Sequence, residues 1–385
     1  MPNHLLFPKG FLWGCATSAF QVEGGIENAD WSKFAPAKDA ADQYHLFEKD
    51  FQLLSQLSQS AYRLSIEWSR VMPKEGVFDE KEIAHYRKIL RSLREKNITP
   101  MVTLHHFTTP LWLDNKGGWA DKKVVDHFVR FSERMVKEYG DLVGLWVTIN
   151  EPVNYALMGY LIGKWAPGRK NPLLFLRVVR NMARAHREAY KAMHKADKSI
   201  QVGIVQNIVY VEPFSFFLWD KFVAGVVRFL QHRWFLNKVK DSLDFIGVNY
   251  YFHLRILFPG IRIKKNEVVS DIGWEVYPKG IYHAVKEIAE YGFPIYITEN
   301  GLADVKDSLR GKFIVEHLKW LHKAIEEGAD VRGYFHWSFI DNIEWERGRN
   351  PRFGLVAVDY ATQKRTPRPS AFLYADISKT NKIEI

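Results

Sequence analysis

Eight short apolar runs recur along the chain, at residues 11–19, 61–69, 99–107, 145–151, 200–208, 244–251, 294–299 and 331–339. Each has strand length and is rich in β-branched or aromatic residues. Segments of helical period lie between them. Tyr44, Phe47, Phe51 and Leu54 form one apolar stripe, Ile83, Tyr86, Leu90 and Leu93 a second, and Val124, Phe128, Phe131 and Met135 a third. Residues 174–194, 281–291 and 313–327 keep the same spacing. Strand and helix alternating eight times in 385 residues predicts an α/β fold, a closed (β/α)8 TIM barrel, over an open doubly wound sheet. No glycine-rich phosphate loop follows any of the runs, which also argues against a dinucleotide-binding sheet. No linker composition interrupts the sequence, so one domain over residues 1–385 is expected.

Barrels of this kind gather their chemistry at the C-terminal ends of the strands. Two runs end there on a carboxylate. Pro294-Ile295-Tyr296-Ile297-Thr298-Glu299-Asn300-Gly301 turns from apolar to acidic before a glycine. Leu145-Trp146-Val147-Thr148-Ile149-Asn150-Glu151-Pro152 does the same, and its proline stops the strand from continuing. Other strand ends carry Ser18 and Gln21, Arg63 and Glu67, His105 and His106, Asn207, Asn249 and Tyr251, and His336 and Trp337. Structural roles compete for some of these, Glu67 and His105 above all. A lone histidine or glutamine is more often structural, so His106 and Gln21 gain weight only from their joint placement.

Composition narrows the chemistry. The single cysteine, Cys15, excludes an internal disulfide framework and a cysteine-based zinc cluster, and reads as a small buried hydrophobe. No histidine pair has metal-ligand spacing, so neither a metal nor a cofactor is expected. The net charge of +10 is spread over helical faces with no nucleic-acid motif, which reads as a solvated basic surface. No basic segment followed by a cleavable apolar core opens the chain, so a cytoplasmic location is expected.

Two carboxylates facing one small volume suit glycosidic bond cleavage. About 5 Å apart, one attacks the anomeric carbon and the other protonates the leaving oxygen; at about 6.5–9.5 Å a water fits between them and the configuration inverts. An arginine such as Arg63 beside Glu299 would favour its ionised form, and that charge would keep Glu151 protonated. Once Glu299 is esterified its charge disappears, and Glu151 serves as base toward water. Trp337, Glu344 and Trp345, after the eighth run, offer the flat surface and hydrogen-bonding edge that complement a pyranose. Burial of both indoles as core filler is the competing reading.

These residues fall in an ordered set that resembles glycoside hydrolase family 1, the retaining β-glucosidases and β-galactosidases. The resemblance covers nearly the whole chain. It runs from Phe7-Pro8-Lys9-Gly10-Phe11-Leu12-Trp13-Gly14 and Gln21-Val22-Glu23-Gly24 through Tyr62-Arg63-Leu64-Ser65-Ile66-Glu67-Trp68-Ser69-Arg70 and Leu104-His105-His106-Phe107. Thr148-Ile149-Asn150-Glu151-Pro152, Gly247-Val248-Asn249-Tyr250-Tyr251, Ile297-Thr298-Glu299-Asn300-Gly301 and Phe353-Gly354-Leu355-Val356 complete it. The resemblance implies Glu151 as acid/base and Glu299 as nucleophile, Arg63 and Tyr251 orienting Glu299, and Asn150 on the sugar 2-hydroxyl. Gln21, His106, Trp337, Glu344 and Trp345 would line the glycone subsite, with Asn249 beside them. The family's phospho-sugar branch has a serine at the position of Glu344, so a carboxylate there favours a plain glycoside.

Two departures stand out. Phe107 follows His106 where many members have tryptophan. The stretch 213–241 is much shorter than usual, which implies a more open entrance that tolerates long or apolar leaving groups. Residues 214–236 are themselves apolar and aromatic, interrupted by Asp220, Lys221 and Arg228. An outer barrel helix is the expectation there, and an interfacial helix giving peripheral membrane association the weaker alternative.

The sequence thus predicts a retaining exo-β-glycosidase acting on small-molecule β-glucosides or β-galactosides, with transglycosylation as a side activity. A non-catalytic glycoside-binding protein and a phospho-β-glycosidase are the alternatives. Presence of both glutamates argues against the first, and Glu344 against the second.

Overall fold

The computed structural model describes residues 4–262 and 267–384. Eight parallel strands close into a barrel: β1 (Leu12–Ala16), β2 (Ala61–Ser65), β3 (Thr99–His105), β4 (Leu145–Asn150), β5 (Gln201–Asn207), β6 (Phe245–Asn249), β7 (Ile295–Asn300) and β8 (Val331–Trp337). Each pairs with its neighbours in chain order, and β8 returns to β1 with Gly333 opposite Leu12 and Trp337 opposite Ala16. Each predicted run coincides with one of these strands, β7 alone extending one residue beyond its run, to Asn300.

The apolar continuity of the runs follows from burial on both faces. All residues of β2, β4, β6 and β7 are buried. One set of side chains, including Ala61, Met101, Val147, Val205, Phe245, Tyr296 and Phe335, fills the barrel interior. The larger core lies between strands and helices. Such two-sided burial removes the alternation of a half-exposed strand.

The surrounding helices are α1 (Gln43–Gln56), α2 (Glu80–Glu95), α3 (Val124–Tyr139), α4 (Pro172–Ala196), α5 (Trp234–Val239), α6 (Lys279–Ala289), α7 (Arg310–Glu326) and α8 (Pro369–Thr380). Their starts carry local signals. Asp79 caps α2 by accepting from the backbone N–H groups of Lys81 and Glu82. Asn171 caps α4, with Pro172 in its first turn. The stripe residues of α2 and α3 are all buried, whereas Tyr44 and Phe47 of α1 are only partly so. Helix α8 was not expected from the sequence, because Phe372 and Leu373 face outward and blur its period.

The region after β5 divides in two. Helix α5 takes the outer-helix position, burying Phe235, Leu236 and Val239. The preceding helix Leu218–Arg228, joined to α5 through a π-helical turn at Phe229–Arg233, packs instead on a small outlying sheet. That sheet pairs Tyr210–Pro213 in parallel with His253–Leu257, which pairs antiparallel with Gly260–Arg262. Because Tyr210–Pro213 follows β5 and His253–Leu257 follows β6, the sheet stands at the C-terminal end of the barrel.

Candidate active site

Both glutamates sit where a strand leaves the regular ladder. The pairing of β4 with β5 shifts register between Val147 and Asn150, and β7 shifts against both β6 and β8 beyond Ile297. Such irregularities re-aim side chains at the rim of a barrel. After Asn150 the chain passes through the left-handed region at Glu151, φ 45°, and Pro152 then opens the short helix Pro152–Ala156. Phe107 and Trp345 also have positive φ, at 68° and 49°. These three are the cavity-lining members of the eleven non-glycine residues with positive φ among the described residues. After Glu299 and Asn300, Gly301 is required sterically, since a Cβ there would lie 1.7 Å from the carbonyl oxygen of Trp337.

A cavity of about 270 Å³ opens at this end. His106, Glu151, Tyr251, Glu299, Trp337, Glu344 and Trp345 all line it. Arg63, Asn150, Asn249 and Gln21 are buried and support that wall through hydrogen bonds. The structure therefore brings together the residues to which the resemblance gave a catalytic or sugar-binding role.

The two glutamates have unlike partners. Arg63, fully buried on β2, donates to one oxygen of Glu299 through Nη1. Tyr251 donates its hydroxyl to the other at 2.6 Å. The same Arg63 donates to Asn150 Oδ1 at 2.7 Å and to Thr103 Oγ1 at 3.2 Å, so it is fixed from three strands. Glu151 instead receives three amides: Asn249 at 2.6 Å, Asn154 at 2.9 Å and Asn207 at 3.1 Å. Thr298 in turn donates to Asn249 Oδ1 at 2.7 Å, which fixes that amide with its N–H₂ toward Glu151.

Burial is the largest influence on both acids. It raises Glu299 above the usual carboxylate range, against the opposing pull of Arg63 and Tyr251. Arg63 favours the ionised form, as expected from the sequence, but the desolvation cost outweighs it. Glu151 is pushed up to about 7, by burial first and then by the charge of Glu299, with its three amides pulling the other way. Burial and Glu299 hold the Tyr251 hydroxyl well above its usual range, so it stays a donor.

Glu344 is pushed up to about 8, by burial and then by Glu299 and Glu346, with Arg347 opposing. Its buried Oε2 has no hydrogen-bond partner among the described residues. A buried carboxyl oxygen left open at a cavity wall is a ready acceptor for a ligand hydroxyl. Gln21 steadies the adjoining loop by donating to the carbonyl of Ile343 at 2.7 Å, while Ser18 donates to its amide oxygen at 2.6 Å. The His106 ring lies nearly parallel to those of Trp337 and Trp345, with centroids 5.9 and 6.1 Å away. Phe107, at the departure noted in the sequence, lines the cavity and packs on Trp165 and Trp345.

Structural roles do claim the two competitors. Glu67 accepts from the Ser69 backbone and hydroxyl and from Thr108. His105 accepts from the Trp119 indole at 3.0 Å.

The residues matched by the description "Glycosyl hydrolase family 1" are 3–241 and 235–383. The chain belongs to glycosyl hydrolase family 1. Among curated family 1 relatives, β-glucosidase A of Thermotoga maritima is 35% identical, covering 98% of this chain and 99% of its own. A β-galactosidase of Pyrococcus woesei is 31% identical, with 98% of each chain covered. Among solved structures, a β-glycosidase from Pyrococcus horikoshii superposes with a TM-score of 0.93 at 39% identity, over 99% of this chain and 97% of that one. The Thermotoga maritima β-glucosidase in complex with glucoimidazole gives 0.93 at 33% identity, over 98% and 99%. Family 1 membership thus agrees with the barrel and with the paired acids at its rim.

Asn154 and Asn207 were given no role from the sequence. Asn207 was visible only as a polar strand end. Asn154 lies three residues beyond Glu151, a spacing that becomes informative once Pro152 is recognised as the start of a helical turn. Trp274, packed edge-on against Tyr251 at 5.6 Å, comes from a loop with no periodic signal.

Proposed function

We propose that this family 1 β-glycosidase is a retaining, exo-acting enzyme in which Glu299 is the nucleophile and Glu151 the acid/base. One observation carries the reading: the two carboxyls share a cavity but have opposite partners, a cation and a phenol for Glu299 against three neutral amides for Glu151. Glu299 attacks the anomeric carbon as Glu151 transfers its proton to the glycosidic oxygen, and the C–O bond to the leaving group breaks. A glycosyl ester on Glu299 and a free alcohol result. Esterification removes the charge that helped hold the proton on Glu151. Glu151, now ionised, takes a proton from water as that water attacks the anomeric carbon, which releases the sugar and restores Glu299. A sugar or alcohol replacing water in this second step gives transglycosylation.

The glycone is read as glucose or galactose. Asn150 has an amide N–H₂ whose one acceptor contact among the described residues, His106 Nε2, lies at 3.5 Å, and it is offered to the 2-hydroxyl. Glu344 accepts from hydroxyls at the far edge, and Trp337 and Trp345 supply the flat surface. A phosphorylated sugar is disfavoured, since Glu151, Glu299, Glu344 and Glu346 line the cavity and Arg347 is the one Lys or Arg among the described lining residues. On the leaving-group side Met158, Val209, Phe252, Leu254 and Trp274 form an apolar margin. This supports tolerance of alkyl and aryl aglycones, as the short 213–241 stretch suggests. Proton NMR of the sugar first released from an aryl β-glucoside tests the mechanism: β-anomer first is expected, and α-anomer first overturns it.

A further inference from the structure

The helix Leu218–Arg228 exposes most of its apolar side chains. Only Asp220 and Ala224 of its residues are buried, and Ala224 packs with Val211 and Ile256 of the outlying sheet beneath. Outward stand Phe216, Phe217, Leu218, Trp219, Phe222 and Phe229, with Phe216 93% and Leu218 78% exposed. Phe258, at the turn of the neighbouring hairpin, is also exposed and brings its ring to 6.4 Å from that of Trp219, so the patch crosses from helix to sheet. Scattered exposed apolar residues are ordinary, but a contiguous aromatic face marks a binding surface.

Charge says what covers it. Between Pro213 and Lys240 the sequence carries Lys221, Arg228, Arg233, Lys238 and Lys240 against one acid, Asp220. Asp220 is buried and faces inward, accepting from Ser215 at 2.6 Å and from the Phe258 backbone at 2.9 Å. On the helix itself the two cations are Lys221 and Arg228, with Lys221 placing its ammonium 5.7 Å from the Phe216 ring, whereas Arg233 on the following turn pairs with Glu287 and Glu290. Arg228 already pairs with the buried Glu287 at 2.7 Å and remains half exposed. Aromatic and aliphatic residues on one face with cations at its edge suit the headgroup boundary of an anionic bilayer. No helix among the described residues is long and apolar enough to cross a membrane, so the chemistry is that of lying on one. The face also adjoins the cavity mouth: Gln231, next to Phe229 and Leu230, lines the cavity, as do Val209 and Leu254 from the supporting sheet region.

We propose that this face docks the enzyme peripherally on anionic lipid bilayers, with the cavity mouth beside the membrane surface. The test is flotation of the whole chain with vesicles of phosphatidylcholine mixed with phosphatidylglycerol, against pure phosphatidylcholine, over a salt series. Binding to the anionic vesicles that weakens with salt is expected, and Phe217→Ser or Phe222→Ser should each reduce it about tenfold. Lys221→Glu should reduce it at low salt. Hydrolysis of a soluble aryl glucoside by these variants at the wild-type rate shows that they are folded. Absence of flotation at low salt overturns the proposal, as does flotation that the aromatic variants retain. A concentration-dependent dimer that Phe217→Ser disrupts, with no flotation, also overturns it and gives the face to a second copy.

Discussion

Replacing Tyr251 by phenylalanine isolates one hydrogen bond. The ring packs against Trp274 and Phe353, and phenylalanine keeps those contacts. What is lost is the hydroxyl that reaches Glu299 at 2.6 Å in a buried site. A hydrogen bond to a charged group is worth about 1.5–3 kcal/mol, equivalent to about 1–2 pKa units. The sign follows from the ionised form. The hydroxyl stabilises the carboxylate, so its removal moves Glu299 further up from a position that burial has already raised. The acid limb of kcat/KM, which reports the free enzyme, should therefore move to higher pH by about 1–2 units. Below that limb, kcat/KM for an aryl glucoside with a good leaving group should fall by about 10–100-fold, while the plateau changes less. A merely structural tyrosine would lower activity without moving the limb. An acid limb unmoved at full precision would refute the assignment of Tyr251 as the partner that keeps Glu299 ionised.

Asn207→Ala removes a donor that favours ionised Glu151, so the basic limb of kcat/KM should rise by about 0.5–1 unit from its wild-type position, as a pH–rate series will show. Glu151→Ala should slow poor leaving groups far more than activated aryl ones, seen as a steeper dependence of kcat on leaving-group acidity, because only the former need the proton. Glu299→Gly should abolish turnover of ordinary glycosides and regain part of it in azide or formate, which occupy the vacated carboxylate space. Glu344→Gln should stabilise the ligand-free protein at high pH. A carboxyl raised to about 8 by folding contributes stability at pH below its unfolded value and loses it as pH rises through 8. The variant's melting temperature should therefore exceed the wild type's by about 2 °C or more at pH 9, with the gain gone at pH 5.

The barrel was legible because its strands are buried on both faces, which leaves continuous apolar runs that survive any uncertainty about register. The paired glutamates were legible for a related reason: each ends such a run, where a polar residue has little structural excuse. Other features depended on three-dimensional neighbours that no local pattern announces. Asn154 and Asn207 reach Glu151 from different elements, and amides at strand ends or in short helices look alike in sequence whether they face a carboxylate or water. Helix α8 escaped because its apolar residues do not keep to one face. The split after β5 escaped because Phe229–Arg233 continues the chain helically, so two helices with different supports read as one apolar stretch. The balance at Glu299 was also hidden. The sequence supplies Arg63 but not the complete burial of the pair, which decides the direction of the shift.

The proposed mechanism requires that Glu299 become covalently bonded to the sugar while Glu151 serves both proton transfers. Treating the protein with an aryl 2-deoxy-2-fluoro-β-glucoside, then digesting it and sequencing the labelled peptide by mass spectrometry, tests this most directly. Stoichiometric inactivation with the fluorosugar on Glu299 is expected. A label on any other residue, or steady turnover with no covalent adduct, would contradict it.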